Sequence, residues 1–252
     1  GQAKQEVLCH AVAISAVTAP TLAVVFKGEI SDIKSMVSGL AVQSAWQSMS
    51  MASMGITGPL NALEATAGFN AQIGGEPLGL SEALALGLDA RSVSVKPFPA
   101  IFTIHSALEA AIQIRGTMGD DAEGIIRSGA LTLSVTLPPK VAKMSGAAER
   151  WNPQKKEEAQ FSLPHCLCVA LLFGKLNIQT LELSFAPEFM PVISELKSHL
   201  EILESDEWGG YVGAKLVVAA GDRRWEAEVS SPLGSQENPF SDDQVSQKFL
   251  DL

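Results

Sequence analysis

Two prolines, Pro97 and Pro99, divide the stretch KPFPAIFTIHSALEAAIQIR, Lys96–Arg115, into an extended approach and a helix. Proline fixes φ and turns the residue before it away from the α region, so Lys96–Pro99 has to run extended. Directly afterwards Ile101, Ile104, Leu108, Ala111 and Ile112 recur at three- and four-residue intervals, which predicts a helix with one apolar stripe. His105 falls in the first turn beside that stripe, with Glu109 one turn below. Free N–H groups and the positive end of the macrodipole at a helix start make an imidazole give up its proton more readily. In most chains a histidine so placed is half-buried, with its two nitrogens simply satisfied. A chemical role needs support from elsewhere in the sequence.

The chain has 252 residues, 46 % apolar and 18 % charged, which fits a globular protein with a substantial core and excludes wholesale disorder. Against 28 acidic residues stand 18 basic ones, a formal charge of −10. The densest basic spots are the pairs Lys155-Lys156 and Arg223-Arg224, too short to track phosphates, so no nucleic-acid partner is expected. Three cysteines without a disulfide-scaffold spacing point to a reducing, cytoplasmic location. The most apolar run, His10–Phe26, is short for a membrane span and interrupted by Pro20, and the first residues lack the regions of a secretory signal. No membrane association is expected.

The first third reads as helical. Residues 3–19 form a small-residue helix stopped before Pro20, and Gly28–Ser31 a turn. Ser31 or Asp32 caps a long helix that Gly55 ends. Lys34 sits in the first turn of that helix, where an acidic residue is usual. Among free N–H groups a lysine adds to an anion site, although an exposed, solvated lysine explains it as well. Ile56–Phe69, ITGPLNALEATAGF, has cap signals at both ends in Thr57, Pro59 and Gly68 and predicts a short helix. Residues 70–90, with Gly74-Gly75, Pro77 and Gly79 and then SEALALGL, look like a connection between domains.

Beyond about residue 90 the character is mixed. Leu131–Leu137 alternates like a strand, and Trp151-Asn152-Pro153 marks a loop. EEAQFSLPHCLCVALLFG reads as one apolar helix with Pro164 in its first half. Pro187–Leu200 is amphipathic, with Phe189, Val192, Ile193, Leu196 and Leu200 on one side. Val212–Ala219 and Arg224–Val229 flank Gly221-Asp222, a β-hairpin signal. The fold class is therefore α+β.

Few motifs carry chemistry. In His165-Cys166-Leu167-Cys168 the i and i+2 positions of a helix face different ways and no second ligand pair lies near, so packing cysteines are expected and no metal. His10 and His199 have no partner that the sequence identifies. Phosphate-binding glycine loops and a nucleophile elbow are absent from the sequence. What remains is a lysine and a histidine at the starts of two helices. That pair suits small polycarboxylates, because loss of a proton or of CO2 next to a carboxylate builds an enolate that an ammonium and helix N–H groups stabilise.

Five blocks occur in order: Glu29–Lys34 (EISDIK), GITGPLNALEATAGF, KPFPAIFTIHSALEAA, AQFSLPHCLCVALLFG and Asn238-Pro239-Phe240-Ser241. In these the chain resembles the MmgE/PrpD family, whose members include 2-methylcitrate dehydratase, cis-aconitate decarboxylase and iminodisuccinate epimerase. The resemblance implies part of a helical domain over 1–88, an α+β lid domain over 89–235 and a return segment towards the helical domain over 236–252. It places an active site in the cleft between the domains, in a homodimer without cofactor or metal. By motif, Lys34 matches the family's active-site lysine and His105 the histidine of its KxxPxxxxxH block. Lys34 and His105 are thus the expected catalytic residues, and Lys34 and Lys96 the expected substrate-binding ones.

Family members are usually nearly twice as long, and nothing in residues 1–30 resembles their N-terminal helical half, so the resemblance reads as one to the family's C-terminal portion. The expectation is a subunit or fragment of a lyase, a dehydratase or decarboxylase acting on a small carboxylate. A second protein chain is expected to supply the missing N-terminal half, within an oligomer. An isomerase, epimerase or cyclase of the same family, or a non-catalytic subunit supporting an active partner, are the alternatives.

Overall fold

Strand alternation and a glycine turn lay down the sheet of the second half. In the computed structural model, which describes residues 2–18, 33–72 and 93–250, Thr132–Leu137 forms β1, with Leu133, Val135 and Leu137 buried on one face. Ala214–Ala220 forms β3 and Arg223–Val229 forms β4. They pair antiparallel across Gly221-Asp222, where Gly221 takes φ +55° as a two-residue hairpin loop requires. The hairpin that the sequence predicts is present. A further strand, β2 (Leu200–Glu204), was not expected; it pairs parallel with β1, giving the order β2-β1-β3-β4. Leu200 thus closes no helical stripe. Its helix spans Met190–Ser198, and Leu200 sits opposite Leu133 in the sheet.

The chain divides into two units, Gly1–Asp89 and Ala90–Leu252. In the first, α1 (Gln2–Thr18) packs along α2 (Ile33–Ser53), and Ala11, Ile14 and Ala52 make a small core with Val7 and Met51 against it. Gly55, at φ +90°, follows the end of α2. The expected helix over 56–69 is not formed. Its residues make successive turns, with bonds such as Ala62 N–H to the Pro59 carbonyl at 2.9 Å, and only Phe69–Gln72 (α3) is helical. The Phe69 N–H reaches back to the Ala62 carbonyl at 2.7 Å, and a Cβ on Gly68 would lie 2.7 Å from that same oxygen. Gly68 is there because the chain folds back on itself, not to stop a helix. The stretch is also pinned to α1, where His10 Nδ1–H donates to the Gly58 carbonyl at 3.2 Å, a partner the sequence did not identify. The Ser31 or Asp32 cap, the turn at 28–31 and the SEALALGL segment lie outside the described residues.

In the second unit a short 3-10 turn, Phe102–Ile104, leads into α4 (His105–Thr117). Then come α5 (Ala122–Arg127), β1, α6 (Pro139–Ser145), α7 (Lys156–Ala159), α8 (Leu163–Phe173), α9 (Ile178–Leu183), α10 (Met190–Ser198), β2 to β4, and α11 (Asp242–Leu250). The single apolar helix expected over EEAQFSLPHCLCVALLFG is interrupted. α7 stops at Ala159, and α8 starts afresh with Ser162 as N-cap, its Oγ accepting the His165 N–H at 3.1 Å. Pro164 then falls in the first turn, where its missing N–H costs nothing. Every residue from Leu163 to Leu172 is buried, so α8 is wrapped on all sides; α4 lies against it and against β3 and β4. Cys166 and Cys168 are core residues, and burial pushes both thiols up. No described helix is long and apolar enough to cross a membrane.

Candidate active site

The proline-fixed approach to α4 sets up the site. Ala100 N–H turns back to the Phe98 carbonyl at 2.8 Å, and Ile101 N–H donates to the Gln160 carbonyl at 2.8 Å, tying the segment to the residues before α8. The Ala100 carbonyl is thereby left beside the His105 ring, 3.2 Å from Nε2. A carbonyl only accepts, so Nε2 carries the proton and Nδ1 is a bare lone pair. Nδ1 has no partner and no exposure. The imidazole is fully buried, its ring 5.2 Å from that of Phe98 and 5.1 Å from that of Phe102.

Burial is the main reason that His105 titrates low, at about 4; the Ala100 bond opposes this and the Lys96 ammonium adds to it. Lys96 is exposed as a residue, yet partial burial of its ammonium lowers its pKa as well. The structure therefore brings Lys96 and His105 within electrostatic reach of one another and keeps the histidine neutral. It does not leave His105 half-buried at a surface. Lys34, the second residue of α2, is half-buried and belongs to the first unit, whereas Lys96 and His105 belong to the second.

Two further polar side chains were not legible as site residues. Thr103 Oγ1, two residues before His105, is buried without a partner. An orphaned hydroxyl and an orphaned imidazole nitrogen at one helix start each cost about 1–3 kcal/mol, and groups so left are typical of sites that bind or react. The other is His165 in α8. Ser184 Oγ spends its one proton on the Leu181 carbonyl at 2.6 Å, so it accepts from His165 Nε2–H at 2.8 Å, and Nδ1 is again bare and buried. His199 pairs with Glu195 at 3.0 Å. No group of three or more potential metal ligands occurs among the described residues.

Comparison with known proteins agrees with this architecture. No curated protein matches the chain. Residues 2–79 match the MmgE/PrpD N-terminal domain and residues 98–252 the MmgE/PrpD C-terminal domain. The first match reaches back to residue 2, ahead of the block at Glu29, so the likeness is not confined to the family's C-terminal portion. The family is generally one of enzymes, lyases and dehydratases among them. With both of its domains matched over most of its length, the chain belongs to the MmgE/PrpD family.

Proposed function

We propose that the chain is a subunit or part of a cofactor-independent lyase, a dehydratase or decarboxylase, acting on a small carboxylate metabolite. The observation that carries this reading is His105, held neutral with its Nδ1 lone pair unengaged beside the Lys96 ammonium. A neutral imidazole takes a proton from carbon next to a carboxylate, and the electron pair left behind becomes an enolate. Lys96 is assigned to the substrate carboxylate and the developing enolate charge; Lys34 is proposed for the same role on the family motif alone. Loss of hydroxide from the neighbouring carbon completes a dehydration; in a decarboxylation CO2 leaves in place of the first proton, and the enolate so formed takes up a proton from water.

Exposed apolar side chains on α2, Val42 and Trp46 foremost, support association with a second protein chain in an oligomer. Three cysteines without disulfides support a cytoplasmic location.

The complete burial of His105 behind Phe98 and Phe102 favours one second reading, a catalytically silent subunit beside an active partner. Turnover of candidate di- and tricarboxylates by the natural complex, with Lys34→Ala, Lys96→Met and His105→Gln variants, separates the two. The lyase reading expects losses of about a hundredfold or more for His105→Gln. Unchanged turnover in all three variants makes the subunit silent. Solvent deuterium entering recovered substrate, without water or CO2 lost, replaces the lyase by an epimerase.

A further inference from the structure

Apart from Lys96, Thr103 and His105, the second unit holds a cavity of about 120 Å³ between the loop at Asn152–Gln154, α8, the end of α9, and α10. Beside Phe185, Met190 and Ile193, its wall carries the polar side chains of Asn152, Gln154, His165, Ser184, Ser194 and Lys197. Lys197 Nζ donates to the Trp151 carbonyl at 2.7 Å and to Asn152 Oδ1 at 3.3 Å, which leaves one N–H. No carboxylate pairs with this ammonium among the described residues, although it is partly withdrawn from water. An ammonium in such a place without a counter-charge is costly. The second unmet group is His165, 4 % exposed, whose Nε2–H is committed to Ser184 and whose Nδ1 lacks a donor.

One missing negative charge and one missing donor define the occupant. We propose that this cavity binds a small carboxylate, with the Lys197 ammonium as its counter-charge. The carboxylate accepts the free Lys197 N–H, and a hydroxyl or water carried with it offers the proton that His165 Nδ1 lacks. The cavity's single uncompensated positive charge matches a carboxylate monoanion better than a phosphate dianion. The volume admits a group of two to four carbons, on the scale of about 30 Å³ for each water displaced. This binding site does not depend on the reaction proposed above.

The test is a titration of the isotopically labelled full chain with sodium propionate, and separately with inorganic phosphate at matched ionic strength, followed by backbone amide NMR. Saturable shifts at Asn152, Ser194 and Lys197 with propionate, and weaker ones with phosphate, are expected. Lys197→Met should weaken propionate binding about tenfold or more, the loss of one charge-assisted contact. Ser194 is exposed on α10, so Ser194→Asp leaves the Lys197 bonds in place while supplying a carboxylate at the cavity wall. It should abolish binding without lowering the melting temperature, and it keeps the test open if Lys197→Met fails to fold. Absence of saturable shifts, undiminished binding in Ser194→Asp, or phosphate binding as tight as propionate would overturn the assignment.

Discussion

Gly234 and Val95 are joined main chain to main chain: the Val95 N–H donates to the Gly234 carbonyl at 2.8 Å, and a Cβ on Gly234 would overlap the Val95 carbonyl oxygen. Gly234 in turn donates its N–H to the Asn238 carbonyl at 2.7 Å. Two blocks far apart in sequence, Asn238–Ser241 and the one beginning at Lys96, are thus held together next to the candidate site. Gly234 also has φ +84°. Gly234→Ala combines backbone strain with a clash and should cost at least about 2 kcal/mol. Asn238→Ala, which loses only the amide bond to the Ser231 carbonyl, should cost about 1 kcal/mol. Denaturant unfolding of both variants checks the order.

His105 and His165 both titrate near 4 in the folded protein, against an ordinary value of 6.5, and burial is the leading cause in each. Between those values the unfolded chain takes up protons that the folded chain refuses. Stability should therefore be level above about pH 6.5 and fall as the pH drops towards 4, by up to about 3 kcal/mol for each histidine. Unfolding measured across that window should show the slope. Replacing either histidine by glutamine should flatten it.

Phe98 forms one side of the His105 enclosure. Phe98→Ala admits water to the ring, so the histidine's pKa should rise from about 4 towards 6.5. Imidazole proton shifts followed against pH measure this directly. An unmoved titration would mean that Phe102 and the rest of the core suffice to keep the ring dry.

Ser106, the residue after His105, is fully buried, and its Oγ accepts the Gly213 N–H at 3.1 Å. Ser106→Ala strands that N–H inside the protein at a cost of about 1–3 kcal/mol. Hydrogen exchange at Gly213 should accelerate more than exchange at the sheet amides of β3.

Where the chain's local chemistry decides the structure, the sequence was readable. Gly221-Asp222 specified its hairpin, and the alternation of Leu133, Val135 and Leu137 specified β1. The prolines before α4 put His105 at a helix start. β2 was hidden because Leu200 continues the apolar spacing of α10, and only pairing with Leu133 makes it a strand. The turns at 56–68 were hidden because Thr57, Pro59 and Gly68 offer helix caps, while the bond from Phe69 to Ala62 selects a fold-back. At the candidate site, residue types and helix position were legible. Full enclosure of His105, the orphaned Thr103 hydroxyl and the tautomer of His165 depend on what Ala100, Phe98 and Ser184 do in three dimensions.

The mixed sheet has a consequence for how this chain is made. β1 is one of the two inner strands, yet both of its neighbours come later: Leu133 waits for Leu200 on one side and for Val218 on the other. A growing polypeptide releases β1 with two unpaired edges and an apolar face, and the sheet can close only when nearly all of the second unit has emerged. Such long-range pairing folds slowly and exposes sticky intermediates. α4 and α8, which pack on each other and are synthesised before β2, are the elements available to shelter that face in the interval.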